Sequence, residues 1–75
     1  MEVIIYTNTG CSACHQAMDF LTTHNVAYVE KSLATDPAAR DELVAMGFRA
    51  VPVIRVGNET MLGFSPVKLR KMLGL

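Results

Sequence analysis

The chain has 75 residues, seven acidic against seven basic side chains, and 51% hydrophobic residues. That length holds one domain at most, here taken as 1–75, and a half-apolar composition suffices for one small core. Balanced charge argues against a nucleic acid or an anionic membrane surface as partner, because both select a basic excess.

The chain opens with Val3 to Tyr6, an apolar run of four residues with no basic residue ahead of it. This is not a secretory signal, and no segment approaches the ~18 apolar residues of a membrane span. The expected compartment is therefore cytoplasmic. Val3 to Thr7, largely β-branched, predicts a buried strand, broken by Thr9-Gly10. A helix follows from Cys11 to about His24, with Ala13, Ala17, Phe20, Leu21 and His24 spaced for one face and Asn25 as its stop. Val26 to Lys31 alternates as a second strand, with Val26, Tyr28 and Glu30 on one face.

Asp36-Pro37 is a helix start, an N-cap followed by proline at the first helical position. That helix carries Leu43, Val44 and Met46 and ends at Gly47; Arg40, Asp41 and Glu42 read as its solvated face. Val51 to Val56 is a third strand whose internal Pro52 requires a special reason, since proline cannot donate to a ladder. Gly57-Asn58 turns into a fourth strand, Glu59 to Leu62. Ser65-Pro66 then caps a last helix, with Lys68, Arg70 and Lys71 toward its C-terminal end. The order β-α-β-α-β-β-α predicts an α/β domain of thioredoxin-like architecture: a four-stranded mixed sheet flanked by three helices.

The chemistry points to Cys11 and Cys14. Residues three apart share one side of a helix, so the two sulfurs can meet. At the helix start, free N–H groups and the positive dipole end favour a thiolate on Cys11, while Cys14 lies one turn inside. The first sulfur is the expected nucleophile on a disulfide and the second the resolving group. In a reducing compartment such a pair is catalytic or metal-binding, and a loop this small would stabilise little as a staple. Two other chemistries fit part of the pattern. Cys11-Ser12-Ala13-Cys14-His15 matches the haem-attachment spacing, but a small cytochrome is helical and this chain carries strand signals. A zinc site built from Cys11, Cys14 and His15 or His24 lacks a second ligand pair, and no metal is expected. Met18, Met46, Met61 and Met72 read as core filler.

Tyr6-Thr7, Cys11-x-x-Cys14, Val51-Pro52 and Gly63-Phe64 occur here in the order found in glutaredoxins. Gly63-Phe64-Ser65-Pro66-Val67-Lys68-Leu69 looks like the Gly-Phe-x-Pro-x-x-Leu segment of the NrdH-type redoxins, glutaredoxin-like proteins that donate electrons to ribonucleotide reductase. The resemblance spans essentially the whole chain. It implies a dithiol thiol–disulfide oxidoreductase with a redox-active Cys11–Cys14 disulfide, acting on protein disulfides as a monomer without a bound cofactor. It also implies that Pro52 is cis, which accounts for a proline in an apparent strand. The Val51 backbone would then be free to pair with an extended substrate segment, and Gly63 and Phe64 would form the other wall.

Departures from the family pattern bear on the electron source. A Lys usual near the end of the first strand is Asn8 here, Ser12-Ala13 replaces the glutaredoxin Pro-Tyr, and Ser65-Pro66 stands where an acidic pair is common. Most of these changes remove groups that grip glutathione. The expected source is NADPH through a flavoprotein thioredoxin reductase, with glutathione-dependent glutaredoxin chemistry as the alternative. Arg49, read as a solvent-facing loop residue, is the group that could still hold a carboxylate.

Overall fold

The computed structural model describes residues 2–75; Met1, the first position of the expected 1–75 domain, lies outside the described residues. Seven elements follow in the expected order: β1 (Val3–Thr7), α1 (Ser12–Thr23), β2 (Val29–Ser32), α2 (Pro37–Ala45), β3 (Val53–Val56), β4 (Glu59–Leu62) and α3 (Pro66–Leu73). The sheet runs β2-β1-β3-β4. β2 lies parallel to β1, whereas β3 is antiparallel to β1 and to β4. β1 is thus covered on both sides and both faces, and all five of its residues are buried.

The period-two alternation of β1 divides the core in two. Val3 and Ile5 face α1 and α3, packing with Ala17, Leu21, Leu69 and Met72. Ile4 and Tyr6 face α2, packing with Ala39 and Leu43. Met61 and Met72 are buried, and Met18 and Met46 pack at the core margins, as their filler reading expects. No described helix is long and apolar enough to cross a membrane.

Local chemistry sets the helix ends. Asp36 accepts from the Ala38 N–H at 3.0 Å and Ser65 from the Lys68 N–H at 3.3 Å, each followed by proline in the first turn. Asn25 takes φ 57° just past α1, a left-handed stop that asparagine tolerates. Gly57 takes φ 59° in the β3–β4 turn, as a primed hairpin turn needs.

Four expectations are corrected. The second strand begins at Val29, not Val26: the Val26 N–H donates to Leu21 O at 2.9 Å, so helix α1 claims that backbone. Val26 and Tyr28 still pack on the α1–α3 core, while Val29 and Glu30, on an edge strand, are exposed. The third strand begins at Val53, so Pro52 precedes the ladder and breaks no pairing. On α2, Val44 is 46% exposed, and Glu42 is not merely solvated. One Glu42 carboxylate oxygen accepts from the buried Tyr6 hydroxyl at 2.8 Å and from Lys31 Nζ at 2.7 Å, pinning α2 to β1 and β2. These two donors hold the Glu42 carboxyl below the usual carboxylate range. Burial, then the bond to Glu42, pushes the Tyr6 hydroxyl up to about 12.

Candidate active site

Gly10, at φ 73°, turns the chain off the end of β1 and delivers Cys11 as the N-cap of α1. A helix N-terminus leaves backbone N–H groups without intrahelical partners, and a side-chain oxygen usually takes one of them. Here the acceptor is sulfur: Cys11 Sγ accepts from the Cys14 N–H at 3.1 Å. The pair forms a disulfide, with Cα atoms 5.3 Å apart. Cys11 is half-buried, whereas Cys14 is 1% exposed behind it. An incoming group therefore meets Cys11 first, and any anion on its sulfur already faces a donor.

The Val51-Pro52 peptide is cis and Pro52 is buried. The pairings Tyr6–Val53 and Val53–Leu62 bring the cis-proline loop and Gly63 to the end of the sheet from which Cys11 departs. Among the described residues no hydrogen bond engages the Val51 backbone. The Gly63 N–H donates to Pro52 O at 2.7 Å, so of the Gly63 backbone only the carbonyl is left for a ligand. Phe64 is half-buried, its ring edge-on to Phe20 with centroids 5.7 Å apart.

On the α2 side of this end lies an open pocket. It is lined by apolar side chains (Leu33, Leu43, Val44 and Val51) and by Asn8, Arg40 and Arg49. Among the described residues neither arginine has a carboxylate within ion-pair distance. Arg49, read from sequence as solvent-facing, is exposed and also lines this pocket. Arg40, expected on a solvated helix face, is exposed and also lines the same pocket. No local pattern marks this convergence, because positions 40 and 49 meet only once α2 packs beside the cis-proline loop.

The histidines are not gathered around the sulfurs. His15 is exposed on the first turns of α1. His24, the C-cap of the same helix, has Nδ1 2.8 Å from Phe20 O and Nε2 3.4 Å from Arg70 Nη1. Both of its ring nitrogens thus have partners at the other end of α1, which removes it from the zinc alternative.

This geometry has close counterparts. A protein-family model described as Glutaredoxin matches residues 3–61, a span that holds Cys11, Cys14, Val51 and Pro52 and ends before Gly63-Phe64. The glutaredoxin-like protein NrdH of Lactococcus lactis subsp. cremoris is 31% identical over 70 residues, covering 93% of this chain and 97% of that protein. The thioredoxin-like protein BC3987 superposes with a TM-score of 0.89 at 30% identity, over 95% of this chain and 99% of the other. The NrdH-redoxin of Escherichia coli superposes at 0.86 with 28% identity, over 95% and 93% of the two chains. With a Cys-x-x-Cys disulfide at the start of α1 and a family match over most of its length, this chain belongs to the glutaredoxin family of thiol–disulfide oxidoreductases.

Proposed function

We propose that this chain is a dithiol reductase of protein disulfides, with Cys11 as nucleophile and Cys14 as resolving group. The observation that carries the reading is the contrast between a half-buried Cys11 at the helix cap and a Cys14 sealed behind it. In the reduced protein the Cys11 thiolate attacks one sulfur of a substrate disulfide. A mixed disulfide forms, and the other substrate sulfur leaves as a thiolate that takes up a proton. Cys14 then gives up its proton to solvent and attacks Cys11 Sγ, the remaining substrate sulfur leaves as a thiolate that takes up a proton in turn, and the Cys11–Cys14 disulfide closes. Two electrons have passed to the substrate. The Cys14 N–H stabilises negative charge on Cys11 Sγ whenever that sulfur is a thiolate.

The unengaged backbone of Val51 supports a polypeptide substrate, since it offers strand-like pairing to any extended segment. The likeness to NrdH proteins supports ribonucleotide reductase as a physiological acceptor. The Escherichia coli NrdH-redoxin has a thioredoxin-like activity profile, which supports NADPH and thioredoxin reductase as the source that restores the dithiol. The protein works in this reading as a cytoplasmic monomer, and the monomer is supported by exposed large apolar residues that belong to separate elements (Val29, Val44, Leu62 and Val67). Insulin reduction driven by NADPH and thioredoxin reductase tests the proposal: turnover that depends on both cysteines supports it, and absence of turnover rejects it.

A glutathione-dependent glutaredoxin is the second reading, and one observation favours it. Arg40 and Arg49, without carboxylate partners, flank a pocket beside Val51, and a pair of guanidiniums is suited to a small ligand with free carboxylates. The choice between reductants decides between the two.

A further inference from the structure

Phe64 is held at two points. Its backbone follows Gly63, whose N–H is bonded to Pro52 O at 2.7 Å, so the main chain is tied to the cis-proline loop. Its ring meets the edge of Phe20, and the Phe20 ring in turn stacks on His24, with centroids 4.1 Å apart and planes 29° from parallel. His24 is itself fixed. Nδ1 lies 2.8 Å from the Phe20 carbonyl oxygen and Nε2 3.4 Å from Arg70 Nη1 of α3, so both ring nitrogens hold the imidazole in place. A chain of contacts thus runs from the α1–α3 seam to the residue beside the cis-proline loop.

We propose that Phe20 and His24 are positioning residues that set the Phe64 ring as a wall of the substrate groove, and that they act on binding of polypeptide disulfides rather than on sulfur chemistry. The inference rests on the reading that Phe64 contacts a polypeptide substrate. Phe20 lies nine positions beyond Cys11, about two and a half turns along α1, and packs on the core between α1 and α3. A small disulfide without flanking chain has nothing to lay against Phe64, so it should not sense the prop. Without the ring of Phe20, the Phe64 side chain keeps its backbone anchor but loses the contact that selects its rotamer.

Single-turnover oxidation of the pre-reduced protein tests this without any reductase. Insulin serves as the polypeptide disulfide and hydroxyethyl disulfide as the small one, and thermal melting confirms that each variant is folded. For Phe20→Leu the half-saturating insulin concentration should rise about three- to tenfold, the scale of one lost aromatic pair, while the limiting rate stays within about twofold. The rate with hydroxyethyl disulfide should not change, and Phe20→Tyr should restore insulin binding. His24→Gln, which removes the stack and leaves Phe20 in place, should give a smaller rise in the same direction and guards against a misfolded Phe20→Leu. Phe64→Ala should raise the insulin half-saturation at least as far as Phe20→Leu does. If Phe64→Ala raises it and neither Phe20→Leu nor His24→Gln does, the positioning role is overturned while the groove stands. If Phe64→Ala has no effect, Phe64 is no groove wall and the inference falls, although continued insulin oxidation would leave the dithiol reading intact. Equal slowing of both substrates would also overturn it, by showing that Phe20 acts on the sulfur pair.

Discussion

The backbone N–H of Cys14 points at Cys11 Sγ across 3.1 Å, so the two cysteines are joined by a hydrogen bond as well as by their disulfide. That bond occupies the place that a side-chain acceptor takes at a helix N-cap. It divides the roles of the two sulfurs. Cys11→Ser should abolish disulfide reduction while keeping the fold, since serine is itself a good N-cap. Cys14→Ser should accumulate a mixed disulfide with substrate through Cys11, visible as an adduct by mass spectrometry. If Cys11→Ser were the variant that trapped substrate, the roles would be reversed.

The same contrast predicts how the reduced protein meets an alkylating agent. At pH 7 Cys11 should react at least about tenfold faster than Cys14, because it combines exposure with the helix-start donor. Peptide mapping after brief iodoacetamide treatment reads the ratio. Asn8→Lys adds an ammonium at the end of β1, and a faster reaction at Cys11 is expected. An unchanged rate would show that position 8 serves only the arginine pocket that it lines.

Much of this layout was legible because it is set by neighbours in sequence. Asp36-Pro37 and Ser65-Pro66 announce helix starts through short-range chemistry, and Cys11-x-x-Cys14 announces its own pairing. The start of β2 was not legible. Val26 to Tyr28 alternates as a strand does, but the Val26 N–H is taken by the end of α1, a contest that periodicity cannot see. The cis state of Pro52 came from family resemblance alone. Glu42 beside Tyr6 and Lys31 was hidden as well, because positions 6, 31 and 42 meet only once the sheet and α2 pack together. The convergence of Arg40 with Arg49 has the same origin.

The Tyr6–Glu42–Lys31 cluster makes stability depend on pH in two directions. The Glu42 carboxyl is held below its ordinary value, first by the hydrogen bond from Lys31 and then by that from Tyr6. Its contribution is therefore fully present above the unfolded value and is lost as pH falls through the folded one. Glu42→Gln should lower the melting temperature at pH 7, and the gap from the unsubstituted protein should narrow on acidification toward pH 3. Tyr6 has the opposite sign. Its neutral form is favoured and its hydroxyl is raised to about 12, so its contribution holds below about 10 and drains as pH rises through about 12. Ultraviolet titration should show a late tyrosinate component that disappears in Tyr6→Phe. A gap for Glu42→Gln that did not change with pH would mean that the carboxylate is not what pins α2.

The electron source is the prediction on which the two functional readings part. Glutathione is a small anion, and a site that binds it must aim positive charge or helix-start donors at its carboxylates. Asn8 supplies no charge, and the segment after Gly63 offers Ser65 and Pro66, with the Ser65 hydroxyl already accepting from Lys68 N–H. Against this, Arg40 and Arg49 line the pocket beside Val51 and, among the described residues, have no carboxylate partners. Each charge-assisted contact is worth roughly 1.5–3 kcal/mol, or about ten- to 150-fold in affinity. Both arginines are exposed, so solvent screening takes each contribution below that range, to roughly 0.2–1 kcal/mol. The Val51 backbone adds pairing that any extended peptide can use, which favours a protein partner equally. Thioredoxin reductase with NADPH should therefore reduce the oxidised protein faster than glutathione with glutathione reductase, measured as NADPH consumption on one disulfide substrate. The double variant Arg40→Gln, Arg49→Gln should lower the glutathione-driven rate by on the order of tenfold relative to the reductase-driven one. Loss of both rates in parallel would show instead that the arginines hold the common substrate. Faster turnover with glutathione in the unsubstituted protein would make the arginine pocket its working site and the chain a glutathione-dependent glutaredoxin.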